Sequence, residues 1–461
     1  MAKKYSYWLQ SGKYSLLQKA FVMLFGILSF MVLARALKPE SLGVWGLFLI
    51  ISSIVETLRN ALIRNGYVLF MHTKEKSDHS GIEYAAILTN IIYTAVFVLL
   101  FLFINPYIDS IFNAPGLGSI LRYYCIILVV LIPFSYLEVF FVTKMDFRAV
   151  FFMYLVRNGI LLAALAIIFL GGIVQLTLQV LITVYGLTAT AGLIMGLIMS
   201  RRHERMPVTR DYRMLPGFIA FGKYVFANNL FSLIFRSVDS FTTASFISST
   251  ASAFYSTCAR ITNLVDVPSQ VFADIMFPRA AQVMKSNDLP GLKRMYEKTV
   301  AATLTFTLPA ILLILLIPRF TLNILAGPEY LKAAPILQIV VFYGFFLPFI
   351  KQFGNIMDVL NKPQTNSILM LVFASLNIGL NFLGIRMFGL YGPAFATLFS
   401  YFLLFVVTQI ILTRILGVSR INICKNVISF YPIFLSIALG MIGRGKKEKD
   451  GKSLTIQGGT E

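Results

Sequence analysis

The sequence predicts an all-α polytopic membrane protein, built as two pseudo-symmetric six-helix bundles around a central cationic cavity, with a candidate extra C-terminal helix. Three observations carry that expectation. Of 461 residues, 57% are hydrophobic and only 13% charged, and mean hydropathy is +0.78, far from the soluble balance of roughly half apolar and a quarter charged. Apolar stretches of about 20 residues, the length that crosses a bilayer as a helix, recur along the chain. Landmarks in the first six of these stretches return at a nearly constant spacing in the next six.

The N-terminus, MAKKYSYWLQSGKYS, is basic. The apolar segment behind it is long enough to span and no small-residue cleavage site follows, so it reads as a retained first span, Leu16 to Ala34. Spans two to six are expected at Gly43–Ile63, Tyr84–Asn105, Leu121–Val142, Val150–Leu170 and Leu176–Met199. The block RRHERMPVTRDYR at 201–213 interrupts the pattern. Spans seven to twelve follow at Phe218–Val238, Ala253–Ile275, Val300–Ile317, Ala334–Met357, Ser367–Ile385 and Leu390–Thr413. The expected domains are therefore a lobe at 1–200, a basic linker at 201–216 and a second lobe at 217–415. Residues 416–443 contain a thirteenth or re-entrant helix, ICKNVISFYPIFLSIALGMI, and 444–461 form a polar, disordered tail.

Lysine and arginine concentrate in every second connection: at 3–19, 74–76, 144–148, 201–213, 279–298 and 362, then at Arg414 and Arg420. Basic loops stay in the cytoplasm, so the N-terminus is placed inside a cytoplasmic or inner cell membrane. The net charge of +20 is thus mainly topological, and its expected partner is anionic headgroups rather than nucleic acid. A thirteenth span would put GRGKKEKDGK on the outer side, against that rule, whereas a helix broken at Pro432 would keep it inside.

Trp45 matches Tyr255, Pro106 at the close of the third span matches Pro318 at the close of the ninth, Pro133-Phe134 matches Pro348-Phe349, and Gly171 matches Gly389. The differences are 210, 212, 215 and 218, growing in order as small loop insertions would make them. Six is an even number of spans, so a duplication relates both halves by an axis along the membrane normal.

Catalytic chemistry finds little footing. His72, His79 and His203 fall in predicted loops, and Cys125, Cys258 and Cys424 form no metal or disulfide pattern. No G-x-x-x-x-G-K-[ST] phosphate loop occurs, so ATP hydrolysis in this chain is not expected. The chain is expected not to be an enzyme and to hold no metal or cofactor.

Charges inside a bilayer are costly and mark function. Glu56 has Arg59 at i+3, and Arg236 has Asp239 at i+3, so a neutralised local pair is one expectation there and a functional charge the other. Arg157, Arg260 and Lys351 have no acid at i±3 or i±4, and must find an acid on another helix, a watery cavity or an anionic ligand. Counting Arg59, Arg157, Lys223, Arg236, Arg260 and Lys351 against Glu56, Glu138, Asp266 and Asp274 gives a net positive cavity. Asn228, Asn229, Ser232, Thr257, Asn263, Asn377 and Asn381 would line it, and a phosphate or sugar phosphate would suit it.

The runs ARALKPESLGVWGLFLIISSIVETLRNALIRNG, SFISSTASAFYSTCARITNLVDVPSQVFADIMFPRAAQV, ILAGPEYLKAAPILQIVVFYGFFLPFIKQFGNIMDVLNKP and GLYGPAFATLFSYF resemble the Wzx-type polysaccharide flippases. That family belongs to the superfamily that also holds multidrug and toxin extruders and lipid II flippases. The resemblance runs to about residue 415 and implies translocation of a polyprenyl-pyrophosphate-linked oligosaccharide, as for O-antigen, between leaflets by alternating access. It further implies Arg59 and Arg260 as pyrophosphate-binding residues by helix position. Arg157, Arg236 and Lys351 join them on charge alone. A proton or sodium gradient is the expected energy source, with Asp266 or Glu56 as coupling acid. Partners are then the lipid-linked glycan, the bilayer and other polysaccharide-assembly membrane proteins, and a monomer is expected. The rivals are an ion-coupled exporter of small molecules and a membrane-embedded glycan enzyme.

Overall fold

The computed structural model describes residues 2–172, 175–203 and 211–432. Every regular element among the described residues is helical. The first half holds α1 (Ala2–Ala36), α2 (Pro39–Thr73), α3 (His79–Ile111), α4 (Leu117–Thr143), α5 (Phe147–Gly171) and α6 (Leu178–Ser200). The second holds α7 (Leu215–Phe246), α8 (Ser249–Val265), α9 (Val267–Lys285), α10 (Leu289–Leu316), α11 (Pro318–Leu325), α12 (Ala334–Tyr343), α13 (Leu347–Val359), α14 (Pro363–Phe388) and α15 (Gly392–Leu416). A last helix, α16, is described over 420–432. The rest of the expected thirteenth span, and the 444–461 tail, lie outside the described residues.

Nine stretches among the described residues are long and apolar enough to cross a membrane, and the last, Pro363–Leu416, contains both α14 and α15. Large apolar side chains stand outward along them: Leu170 is 82% exposed and Phe103 77%. Such a surface is stable only against hydrocarbon. The protein is a multi-pass membrane protein.

Local chemistry sets the helix ends. Asp146 accepts from Ala149 N at 3.1 Å and Asp288 from Gly291 N at 2.8 Å, capping α5 and α10. Gly116 (φ 93°) precedes α4 and Gly172 (φ 58°) ends α5, turns that an L side chain would strain. Three expectations about spans are corrected. The eighth is two helices, α8 and α9, because Pro268 lacks the N–H that would carry the ladder past Asp266. The tenth is broken into α12 and α13 at 344–346, just ahead of Pro348. Pro106 does not close its helix, since α3 continues to Ile111; a proline inside a spanning helix is tolerated where neighbours satisfy the freed carbonyl.

Contacts group the chain into two units. One unit comprises the chain up to Cys258 with Arg319–Ile336 and Met370–Ala396. The other comprises Ala259–Pro318, Leu337–Leu369 and the chain from Thr397 on. α7 joins the first unit because it packs along α2 and α3. Gly222 and Gly66 let it close: a Cβ at Gly222 would lie 2.6 Å from Leu62 O, and one at Gly66 3.4 Å from the Phe218 ring. Ile63, Tyr67, Ile82, Ala85, Val139 and Phe218 form the core at that end of the first unit. In the second unit α9, α10, α13, α15 and α16 share a core through Met276, Tyr296, Phe353, Ile356, Leu412, Ile423 and Val427. Glu297 holds α16 in place, accepting from Ser419 N at 2.8 Å and from Asn422 Nδ2 at 3.4 Å.

Candidate functional site

In the first unit the expected Glu56–Arg59 pair does not form. Arg157 reaches from α5 to α2 and grips Glu56 with both guanidinium nitrogens, Nη2 to Oε1 at 3.0 Å and Nη1 to Oε2 at 3.2 Å. Tyr185 of α6 closes the group, accepting from Arg157 Nη2 at 2.8 Å and donating to Glu56 Oε1 at 3.0 Å. The guanidinium is stacked between the Phe134 and Tyr185 rings, 5.2 and 5.3 Å from their centroids. Two-pronged contact, a third donor and aromatic faces together satisfy charges that would otherwise be costly to bury.

Arg59 is left with weaker company. It is 1% exposed, donates from Nη2 to Thr94 Oγ1 at 3.3 Å and lies 5.7 Å from the Tyr93 ring centroid. Its Nε–H has no partner. Closer to the linker end, Tyr154 donates to Glu138 Oε2 at 2.9 Å, and Arg64 approaches Glu138 to 4.0 Å. Glu83 accepts from Tyr67 at 2.9 Å and from Tyr136.

In the second unit Lys351 of α13 donates to Asp266 Oδ2 at the α8–α9 break. Asp266 is 2% exposed, and its Oδ1 has no partner. Arg157 and Lys351, which lack local acids, have thus each taken the acid-on-another-helix solution. Arg260 is half-buried on α8, one turn past Thr257, whose buried hydroxyl has no partner. Arg236 is exposed, and Asp239, its expected i+3 partner, is engaged by Asn381 Nδ2 at 2.9 Å. The side chains of Lys223, Asn228 and Asp274 lie outside the described residues.

The fully buried charges are a different set from the expected cavity cations, leaving out half-buried Arg260 and Lys351. Among the described residues the fully buried charged side chains are Arg59 and Arg157 against Glu83, Glu138, Asp266 and Glu297. Glu83 and Glu297 were missed because the spans were started at Tyr84 and Val300, whereas α3 starts at His79 and α10 at Leu289. Running the helical periodicity back to Asp78 and Asp288, the positions flanking those helices, would have included both.

A second oxygen-rich group went unread. Asp239 and Thr242 of α7 meet Asn377 and Asn381 of α14: Thr242 donates to Asn381 Oδ1 at 3.2 Å, and Asn381 Nδ2 also reaches Asn377 O at 3.0 Å and Asn377 Oδ1. Asn377 and Asn381 are fully buried. Carboxylate, amide and hydroxyl oxygens of this kind suit a hard cation. Asn377 and Asn381 were expected to line a cavity for an anion; here they serve an acid.

The model of the family described as "Polysaccharide biosynthesis protein" matches residues 32–335, more than half of the chain. An uncharacterized membrane protein of Methanocaldococcus jannaschii is 28% identical over 211 residues, 46% of this chain and 42% of that protein. A probable low-salt glycan biosynthesis flippase of Haloferax volcanii, Agl15, is 25% identical over 147 residues, 32% of this chain and 31% of its own length. The aligned stretches thus span less than half of either relative. Among solved structures, the lipid II flippase MurJ in an inward closed conformation superposes with TM-score 0.73 at 13% identity, covering 93% of this chain and 92% of its own. An inward-facing multidrug resistance MATE transporter of the MOP superfamily gives 0.71 at 13% identity, covering 87% and 98%. The chain belongs to the polysaccharide biosynthesis protein family and has the fold of the MOP-superfamily transporters.

Proposed function

We propose that this protein carries a polyprenyl-pyrophosphate-linked oligosaccharide from the inner to the outer leaflet, by alternating access, for cell-surface polysaccharide assembly. The observation that carries the reading is the family match over residues 32–335 on a fold shared with a lipid II flippase. The relative from Haloferax volcanii, a probable glycan biosynthesis flippase, supports it. Arg260 is the first candidate for the pyrophosphate, being half-buried and, unlike Arg59 and Arg157, neither fully buried nor gripped by Glu56. Arg59 is a candidate only in a conformation that uncovers it.

A cation gradient is the proposed drive. Glu56 and Asp266 remain proposed coupling acids, each tied to a cation whose release would free a carboxylate. Asp239 joins them: the Asn381 amide N–H and the Thr242 hydroxyl occupy this cluster's oxygens, and their turning away would leave the Asp239 carboxylate and the Asn381 oxygen to a sodium ion.

The competing reading is export of a small molecule, favoured by the MATE-like fold. Depletion in cells separates the two. Lipid-linked glycan should lose access to a membrane-impermeant modifying reagent outside while its synthesis continues; unchanged access would favour the exporter, and loss of the lipid-linked glycan itself an enzyme.

A further inference from the structure

The seam between α9 and α13, within the second contact unit, holds polar groups that neither the core nor the proposed cargo site uses. Two cross-ties define it. Lys351 of α13 donates to Asp266 at the head of α9, and further along both helices Asn355 Nδ2 donates to Ala273 O at 3.3 Å. Ser269 and Gln352 fall between those ties, one on each helix, and both are fully buried. Neither Ser269 Oγ nor Gln352 Nε2 has a hydrogen-bond partner in the protein, and Asp266 Oδ1 has none either. Buried polar atoms are normally paired, so three orphans along one seam call for a common partner.

The hydrogen-bond directions say what that partner is. Asn355 Nδ2 donates to Gln352 Oε1 at 3.2 Å as well as to Ala273 O, so turning either amide would set like atoms against each other. Gln352 Nε2 is therefore a donor without an acceptor, and Asp266 Oδ1 an acceptor without a donor. Water serves both, and the Ser269 hydroxyl can give or take the remaining bond. A metal ion does not fit, since the Gln352 N–H and the Lys351 ammonium both repel it.

The seam also leads somewhere. Lys351, Asn355 and Asp358 stand at i, i+4 and i+7 on α13, one face of the helix. Along that face Lys351 and Asn355 are half-buried and Asp358 is exposed. Both α9 and α13 run toward the basic side, to Lys285 and Lys362. A polar stripe in a spanning segment lines water or a proton relay rather than lipid. Among the described residues, the other charged groups on the elements packed here are Arg260 on α8, Arg279 near the end of α9, and Lys293, Arg294, Glu297 and Lys298 in the first three turns of α10. The ion pair that Asp266 makes is with Lys351.

We propose that the α9–α13 seam is a water-lined proton path from the side of the basic loops to Asp266, with Asp358 at its mouth and Ser269 and Gln352 as its inner rungs. It rests on the cation-gradient reading and names the proton as the ion handled by this pair. A proton arriving at Oδ1 forms one O–H bond, neutralises the carboxylate and leaves Lys351 an ammonium without its counter-charge. Its return along the same path restores the pair.

The test uses purified full-length protein in lipid nanodiscs, with the proton itself as probe. Acidification should produce an infrared carboxylic-acid C=O band that Asp266→Asn removes, and added sodium should leave that band in place. The Ser269→Ala/Gln352→Leu double variant should slow its appearance after a pH jump about tenfold, because the water loses two of its hydrogen-bonded neighbours. A band that appears at the parent rate in the double variant overturns the path, as does the lack of any Asp266 band. Displacement of the band by sodium overturns the proton assignment. If the double variant fails to fold, Asn355→Cys, with exposed Cys424 replaced by serine, reads the same seam. A small membrane-impermeant thiol reagent added on the basic side should label it within minutes, and no labelling over hours overturns the path. None of these readouts needs the glycan. Glycan that still reaches the outer face after the gradient is collapsed would end the cation-gradient reading, while the infrared band decides the path by itself.

Discussion

Glu56 and Arg157 stand 101 residues apart in sequence and meet as a two-pronged ion pair that Tyr185 completes from a third helix. The pair fixes how α2, α5 and α6 sit together in the first unit. Breaking such a pair costs more than never having it, because the remaining charge stays buried. Arg157→Ala should therefore lower unfolding stability by about 3 kcal/mol. Adding Glu56→Gln should recover part of that loss in a thermal melt. A double variant no better than the single one would mean that the arginine acts through packing on Phe134 instead.

Asp266 and Lys351 form the corresponding tie in the second unit. A double-mutant cycle with Asp266→Asn and Lys351→Met should show a coupling of about 1–3 kcal/mol in stability. Independent effects would show that the lysine's charge is met by something other than Asp266.

Arg260→Ala is expected to reduce glycan translocation by at least tenfold with normal expression, while Arg260→Lys keeps a partial rate because the charge survives without the planar fork. Wild-type translocation by the alanine variant would remove Arg260 from the cargo site.

Asp239→Asn should abolish any sodium dependence of transport while leaving the helices intact, since Asn381 can still bond an amide oxygen at that position. Transport is measured in vesicles with imposed sodium or proton gradients. Sodium dependence that persists in the variant would move the coupling site to Glu56 or Asp266.

Gly384 and Gly392 bring α14 and α15 into backbone contact: a Cβ at Gly384 would lie 2.7 Å from Gly392 O, and one at Gly392 would overlap the Gly384 backbone. Gly392→Val should cost about 1–3 kcal/mol, read as a lower midpoint of detergent-solubilised unfolding. A neutral result would require the two helix ends to part without loss.

The membrane class and most spans were legible in the sequence because hydropathy and length are local properties of the chain. Pairing partners were not. The i+3 rule favoured Arg59 for Glu56, yet which helix faces which decides that choice, and α5 delivers Arg157 to the same carboxylate. The breaks before Pro268 and Pro348 were legible as prolines but were covered by apolar runs long enough to span unbroken. Glu83 and Glu297 were missed for a similar reason: apolar windows start later than the helices do, so the first turns, where these acids are buried, read as loop.

The interleaving of the two contact units bears on how the chain is made. Up to Cys258 the first unit is nearly continuous, but it is finished only by Arg319–Ile336 and Met370–Ala396. During synthesis α2 can receive α7 soon after the linker leaves the ribosome, whereas Asn381 of α14 arrives 142 residues after Asp239. Until then Asp239 waits without the asparagines that meet it, and so Met370–Ala396 must be inserted before the first unit is complete.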